Sequence, residues 1–193
     1  MTFGLALPPE HKVFGAFAIY SFTMGNIFPR FADLKHIMKV DEGAFGIGLI
    51  GAPVGTLISL TFGPPILEAI GYRRAILVLI PLLSCFYALA SYAPNPIWFF
   101  ALLVPVGIVI GGIETILNLE ADRTEHLVGR RIMNRAHAFW SFGFFAAGLV
   151  GGAIAQTGLD PQTHLLLIIP VSLVGTLLIL GQFDPAPPRA GGH

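Results

Sequence analysis

A single glutamate, Glu114, is the residue of this sequence with the clearest capacity for chemistry, because it stands inside a long apolar run. An ionisable side chain within a membrane span is energetically costly, and such residues commonly carry protons or bind substrates. Gly111 and Asn118, three residues before it and four after it, would share its face of a helix. The pattern predicts a site for a proton or a substrate hydroxyl. The alternative is a structural carboxyl group that is hydrogen-bonded to a neighbouring helix.

Other polar residues could contribute to the same site. Asn26, with Tyr20 and Thr23, gives the first apolar run a modest polar content. Such side chains can bind a polar ligand, or they can join helices by hydrogen bonds. His137 could exchange protons. Its position three residues before Trp140 favours an interfacial role instead, because Trp is enriched at the level of the lipid headgroups.

The composition places these residues in a membrane. Of the 193 residues, 54% are apolar and only 11% are charged, whereas soluble domains carry about 25% charged residues. So few polar side chains cannot cover the surface of a globule of this length, and the surface must therefore face lipid. The net charge is zero, with 11 basic and 11 acidic residues, so nothing points to nucleic acid as a partner.

Six apolar segments approach the roughly 20 residues that a membrane span needs. They run over about 13–29, 44–62, 75–93, 97–119, 138–156 and 165–181. Helices and closed β-barrels are the structures that satisfy the backbone in lipid. Continuous apolar runs favour helices, since barrel strands alternate and are about half as long. The predicted fold is an all-α membrane protein with a bundle of six transmembrane helices.

The connections between these segments alternate in basic content. Most of the Lys and Arg residues fall on one side if the N-terminus is inside: Lys12, Arg73, Arg74, Arg123, Arg130, Arg131, Arg135 and Arg189. The remaining three, Arg30, Lys35 and Lys39, fall on the other side. Cytoplasmic loops are enriched in Lys and Arg. We therefore expect a multi-pass protein of the plasma (inner) membrane with both termini in the cytoplasm.

The chain is predicted to form one domain, residues 1–182, followed by a polar and disordered tail, residues 183–193. We expect no enzyme activity, no cofactor and no metal. The sequence offers no Ser/His/Asp set, no phosphate loop and no Cys/His metal spacing, and its single cysteine, Cys85, lies in an apolar run.

Small residues recur at intervals of four in three of the apolar segments. In lipid, helices associate through close packing, and small residues mark their contact faces. The stripes are Gly51, Gly55, Ser59 and Gly63 in the second segment, Gly107 and Gly111 in the fourth, and Gly143, Ala147, Gly151 and Ala155 in the fifth. They predict a compact bundle, although glycine is also common in membrane helices in general.

The connection after the second segment, GPPILEAIGYRRAIL, resembles the loop motif of the major facilitator superfamily, which reads roughly G-x-x-x-D-R-x-G-R-R. The corresponding residues are Gly63, Glu68, Gly71, Arg73 and Arg74. Glu68 stands where the family has Asp, and Ala69 where it usually has Arg. The resemblance implies that Glu68 and its basic neighbours form a cytoplasmic gate. It also implies that the six helices are the N-terminal half of such a transporter.

Two further stretches are similar to the fucose-permease-like branch of that superfamily. GGIETILNLEA resembles its fourth span, and RIMNRAHAFWSFGFFAAGLVGG resembles the start of the fifth span in members near the branch. The resemblance implies that Glu114 is the protonatable residue and that Asn118 is a polar contact. Where fucose permeases carry an Asp in the first span, this chain has Gly25, with Asn26 beside it.

Full transporters of this superfamily have twelve spans, in two six-helix halves around a central site. Six spans make one wall of such a site. We therefore expect a second six-helix half as partner, either in a homodimer or as a separate C-terminal half, besides the lipid bilayer and a small polar solute. The leading hypothesis is a half-size secondary active transporter, as a subunit or a domain, for a sugar-like solute, with proton symport as one option. The alternative is a non-transporting membrane scaffold or assembly protein derived from a transporter half.

Overall fold

A computed structural model describes residues 4–188, and all regular secondary structure in this range is helical. The α-helices are α1 (Pro9–Gly25), α2 (Phe31–Met38), α3 (Glu42–Leu49), α4 (Gly51–Ile70), α5 (Tyr72–Ala90), α6 (Pro96–Val128), α7 (Met133–Gln156) and α8 (Pro161–Leu180). A short 3-10 helix, Phe28–Arg30, connects α1 to α2. The all-α prediction is confirmed for the described residues.

Five helical stretches of the described chain are long and apolar enough to cross a membrane. They are Glu42–Ile70, Tyr72–Ala90, Pro96–Val128, Met133–Gln156 and Pro161–Leu180. They correspond to the second to sixth predicted spans, and the protein is accordingly a multi-pass membrane protein.

The first predicted span, about 13–29, does not reach that length. Helix α1 has 17 residues and ends at Gly25. Pro29 lies just beyond its end and has no N–H with which to extend the helical hydrogen bonds. Five spanning helices rather than six are therefore found in residues 4–188, and a sixth span through α1 stays a prediction.

Two predicted loops are instead largely helical. The segment 63–74 continues α4 to Ile70, and only Gly71, with φ of 87°, separates α4 from α5. The segment 120–137 continues α6 to Val128, because it contains good helix formers such as Glu, Ala and Leu. Helix α6 then ends at Gly129, which has φ of 68°. With 33 residues, α6 is about 50 Å long and must extend beyond a hydrocarbon core of about 30 Å.

The small-residue stripes of the second and fourth segments, which the sequence predicts to be helix contact faces, meet each other and join α4 to α6. A Cβ atom added at Gly55 would lie 1.9 Å from the main-chain oxygen of Val104, and one added at Gly107 would lie 1.9 Å from that of Ala52. Thr56 also donates a hydrogen bond to the main-chain oxygen of Gly107 at 3.1 Å. The two backbones are therefore in direct contact, which only glycine permits at these positions.

The stripe in the fifth segment likewise packs α7 against α1. A Cβ atom added at Gly143 would lie 2.3 Å from the main-chain oxygen of Ala18. On α1, a Cβ atom added at Gly25 would lie 2.7 Å from the Cβ of Ala147. Gly63, by contrast, has Ser59 of its own helix as its near neighbour, so the stripe on α4 stops one turn earlier than predicted.

The two ends of the bundle differ in charge. At the end where α1 begins and α8 ends, which we call the arginine-rich end, Arg130 pairs with Glu10 at 2.7 Å. At the same end Arg73 donates to the main-chain oxygen of Gly181 at 2.7 Å. At the opposite end Gln162 of α8 donates to the main-chain oxygen of Ser91 at 2.9 Å. Of the basic residues that the sequence assigns to one side of the membrane, Arg73 and Arg130 are thus held at the same end of the described chain.

The described part of the predicted disordered tail is packed against the arginine-rich end. Phe183 and Ala186 are buried, and the N–H of Ala186 donates to a carboxylate oxygen of Glu120 at 2.9 Å. The sequence predicts a disordered tail from residue 183, whereas residues 183–188 pack against the bundle. Two apolar side chains and a buried carboxylate hold them in place. Residues 189–193, including Arg189, lie outside the described residues.

Candidate functional site

A cavity of about 260 Å³ lies between α1, α6 and α7. Helix α1 contributes Phe17 and Tyr20, α6 contributes Glu114, Leu117 and Asn118, and α7 contributes His137 and Trp140. Four of the five side chains that the sequence singled out therefore line one space: Tyr20, Glu114, Asn118 and His137. They come from three helices, and the packing of α1 against both α6 and α7 brings them together.

Glu114 is the acidic residue of this cavity, and it is half-buried. The hydroxyl of Tyr20 donates to its Oε1 atom at 3.1 Å. Asn118, one turn further along α6, donates through Nδ2 to the main-chain oxygen of Glu114 at 2.9 Å. Tyr20 is itself 1% exposed, so its hydroxyl holds the carboxylate from the interior side, and the second carboxylate oxygen is not used in this bond.

His137 and Phe17 lie on opposite sides of the α1–α7 contact. Their rings meet edge to face with centroids 5.3 Å apart. His137 is exposed, in keeping with a position at the rim of the cavity. Trp140, one turn along α7, is stacked on Phe144 with centroids 5.4 Å apart.

Three lining residues, Phe17, Leu117 and Trp140, were not predicted to belong to the site. Each stands three residues from a predicted one, at positions 20, 114 and 137. Helical spacing of this kind could have identified them as members of the same face. Which of the apolar neighbours on that face reach the cavity depends on how the three helices are rotated.

Asn26 is the predicted site residue that the structure places elsewhere. It follows the last residue of α1, is fully buried and donates to the main-chain oxygen of Phe22 at 2.7 Å. Its Oδ1 atom lies 3.3 Å from Nε2 of His164 on α8. Asn26 therefore joins α1 to α8 and does not line the cavity at Glu114.

Arg30 is 1% exposed and the largest fully buried side chain of the described residues, although the sequence counted it among the basic residues of the non-cytoplasmic side. Its guanidinium donates to the main-chain oxygen of Leu159, between α7 and α8. It also lies 3.3 Å from a carboxylate oxygen of Asp33. Arg30 thereby ties the end of α1 to the connection between α7 and α8.

We expect Arg30→Ala to lower the free energy of unfolding by about 2 kcal/mol, since it removes charge-assisted hydrogen bonds and leaves a cavity. Lys35→Ala is the matched control, because Lys35 pairs with a largely exposed Glu42 and such pairs contribute less than about 1 kcal/mol. Denaturation of the purified protein in detergent would measure both. Equal losses for the two variants would contradict a structural role for Arg30.

The residues that resemble the loop motif lie at the arginine-rich end, around the junction of α4 and α5. Glu68, Arg73 and Arg74 are exposed there. The hydroxyl of Tyr72 donates to Glu68 at 3.3 Å. Gly71 supplies the positive φ of the junction, whereas Gly63 lies within α4 and not in a loop.

A second set of contacts connects this junction to α6. The guanidinium of Arg123 lies over the ring of Tyr72, 5.3 Å from its centroid, and 3.7 Å from a carboxylate oxygen of Glu120. Glu120 is 1% exposed and also accepts the hydrogen bond from Ala186. The start of α5, the end of α6 and the segment after α8 are thus linked through one buried carboxylate.

Within residues 4–188 no group of three or more His, Cys, Asp or Glu side chains is placed to hold a metal ion. The polar contacts around Glu114 are all hydrogen bonds from neutral groups. The arrangement can therefore take up a proton or bind a polar solute at Glu114.

A curated protein of similar sequence is an uncharacterized transporter, y4wD, of Sinorhizobium fredii (strain NBRC 101917 / NGR234). It is 28% identical to this chain over 178 residues, which cover 92% of this chain and 46% of the relative. The chain thus spans about half the length of the curated relative that it matches. No family model and no solved structure matches it.

Proposed function

We propose that this chain is one half of a secondary active transporter of the major facilitator type, and that it moves a small polar, sugar-like solute with Glu114 as the proton-binding group. The observation that carries the proposal is the cavity at Glu114, because an ionisable residue at the wall of a membrane-embedded cavity is typical of substrate and proton pathways. The similarity of the chain to about half of a transporter supports the same function.

The helix packing supports the family assignment. When α3 and α4 are counted as one span, the bundle has two triplets: α1, α3/α4 and α5, and then α6, α7 and α8. The middle helix of each triplet packs against the first helix of the other, so that α4 packs against α6 and α7 packs against α1. The last helices of the two triplets, α5 and α8, pack against each other. Exchanging the two triplets leaves this pattern unchanged, as expected for the inverted three-helix repeats within each half of a major facilitator.

The proposed function is tested first by the state of assembly. In mild detergent the chain should form a homodimer or remain bound to a second six-helix chain, which native mass spectrometry and crosslinking would detect. The purified assembly in liposomes should then take up small polar solutes when a pH gradient is imposed. A stable monomer that transports nothing, bound to other membrane proteins, would instead favour the scaffold hypothesis.

We also propose that the arginine-rich end faces the cytoplasm of a cell with a plasma (inner) membrane, so that both termini are cytoplasmic. Single cysteines test this in a Cys85→Ala background. A membrane-impermeant maleimide should label Thr157→Cys, between α7 and α8, in spheroplasts, which keep the plasma membrane intact but lack the outer envelope. Arg131→Cys, at the opposite end, should react only after the membrane is permeabilised. The reverse pattern would place the termini outside.

A further inference from the structure

The cavity at Glu114 has two neighbouring hydrogen-bond acceptors on α6. The Tyr20 hydroxyl donates to Oε1 of Glu114, and one N–H of Asn118 Nδ2 donates to the main-chain oxygen of Glu114. The second carboxylate oxygen of Glu114 and the amide oxygen of Asn118 are not used in these two bonds, while His137 and Trp140, which also line the cavity, carry ring N–H donors. A ligand that complements the two acceptors must itself be rich in N–H or O–H donors.

The lining of the cavity holds no permanently charged cation to balance Glu114. Neither lysine nor arginine is among its lining residues. The ion pairs found within residues 4–188 do not include Glu114. Because a half-buried carboxylate without an ion-pair partner is costly, a cation that enters the cavity gains a Coulombic attraction that a neutral solute does not.

The walls of the cavity are aromatic. Phe17, Tyr20 and Trp140 line it from α1 and α7, and the ring of Trp140 is held in place by its stack on Phe144. Aromatic rings attract ammonium groups through their negative faces, with Trp the strongest, and a carboxylate beside such rings adds to the attraction. A volume of about 260 Å³ suits a small organic ligand.

We infer that this cavity binds the protonated amine of a small solute, with the ammonium group between the Glu114 carboxylate and the aromatic walls. The inference rests on the proposed transport function, because it names the chemical class of the transported solute: a polar solute with an amine, such as an amino sugar, rather than a neutral sugar. The ammonium and a proton would both neutralise the same carboxylate. The two ligands therefore compete for Glu114.

Tryptophan fluorescence of the purified, full-length protein can test this inference directly. The chain has two tryptophans, and Trp98 is exposed at the start of α6, so Trp98→Phe leaves Trp140 as the reporter in the cavity. Two matched pairs serve as probes at neutral pH: glucosamine with glucose, and butylammonium with butanol. The charged member of each pair should change Trp140 fluorescence with an affinity about tenfold or more above that of its neutral partner.

Variants then assign the binding to the carboxylate. Glu114→Gln in the Trp98→Phe background should remove the preference for the charged member of each pair, while Glu42→Gln, an exposed carboxylate at the opposite end, should leave it unchanged. Equal affinity for charged and neutral members, or binding of neither ammonium compound, would overturn the inference. Glucose binding as tight as glucosamine binding would leave the transport proposal intact. If the protein binds the ammonium compounds but transports nothing in liposomes, the inference about the amine stands and the proposed transport function is wrong.

Discussion

Gly55→Ala and Gly107→Ala are each expected to prevent stable folding, with a loss of about 3 kcal/mol or more in the free energy of unfolding. The added methyl group would lie 1.9 Å from a main-chain oxygen in each case. No rotamer change can relieve a clash with backbone, so α4 and α6 would have to move apart along their shared face. Circular dichroism and denaturation of the purified variants in detergent would measure the loss.

Gly148→Ala is the matched control for these variants. Gly148 also lies within a long apolar helix, but a Cβ atom added there meets nothing within 4 Å. Its replacement should leave stability unchanged or slightly raised, because alanine favours helix over glycine by up to about 1 kcal/mol. Normal stability of Gly55→Ala would show that α4 and α6 do not pack as closely as described.

Glu114→Gln is expected to reduce pH-driven solute uptake to the level of liposomes without protein. The amide keeps the shape of the side chain and can still accept from Tyr20, but it cannot take up a proton or attract an ammonium group. Uptake of labelled solute by the reconstituted assembly under an imposed pH gradient would measure the effect. Unchanged pH-driven uptake would remove Glu114 from the coupling role.

Tyr20→Phe should have a smaller effect in the same measurement. It keeps the carboxylate and removes one hydrogen bond to it, and a bond to a charged group contributes about 1.5–3 kcal/mol. We therefore expect uptake to fall only in part, because the carboxylate that binds the solute or the proton is kept. Glu42→Gln, whose carboxylate lies at the opposite end and pairs with Lys35, should transport normally. A defect in that control would indicate a general loss of folded protein.

The membrane class and the small-residue contacts were predictable because they depend on local properties. Low charge and long apolar runs require lipid as the solvent wherever the helices lie. A stripe of small residues allows backbones to approach whatever the partner is, and Gly55 and Gly107 do so. The ends of the helices were predicted less well, because α4 continues through Pro64 and Pro65 to Ile70 and α6 continues as a polar helix to Val128.

The candidate site was predicted in its residue types more than in its geometry. Glu114 and Asn118 lie on one helix, so their shared face followed from spacing alone. Asn26 was grouped with Tyr20 because both belong to the first apolar segment. The structure separates them, since Asn26 lies past the end of α1 and turns toward His164 of α8.

The sequence by itself determined that this is a multi-pass membrane protein with one costly carboxyl group in its fourth apolar segment, because solvent and helical period act along the chain. Only the tertiary structure decided what surrounds that group. The contact of α1 with α6 brings Tyr20 to Glu114, and the contact of α1 with α7 adds Trp140 to the same cavity. The connection between α7 and α8 accepts the hydrogen bond of the buried Arg30. These arrangements depend on how the helices are rotated and paired, and hydrophobic pattern alone leaves that open.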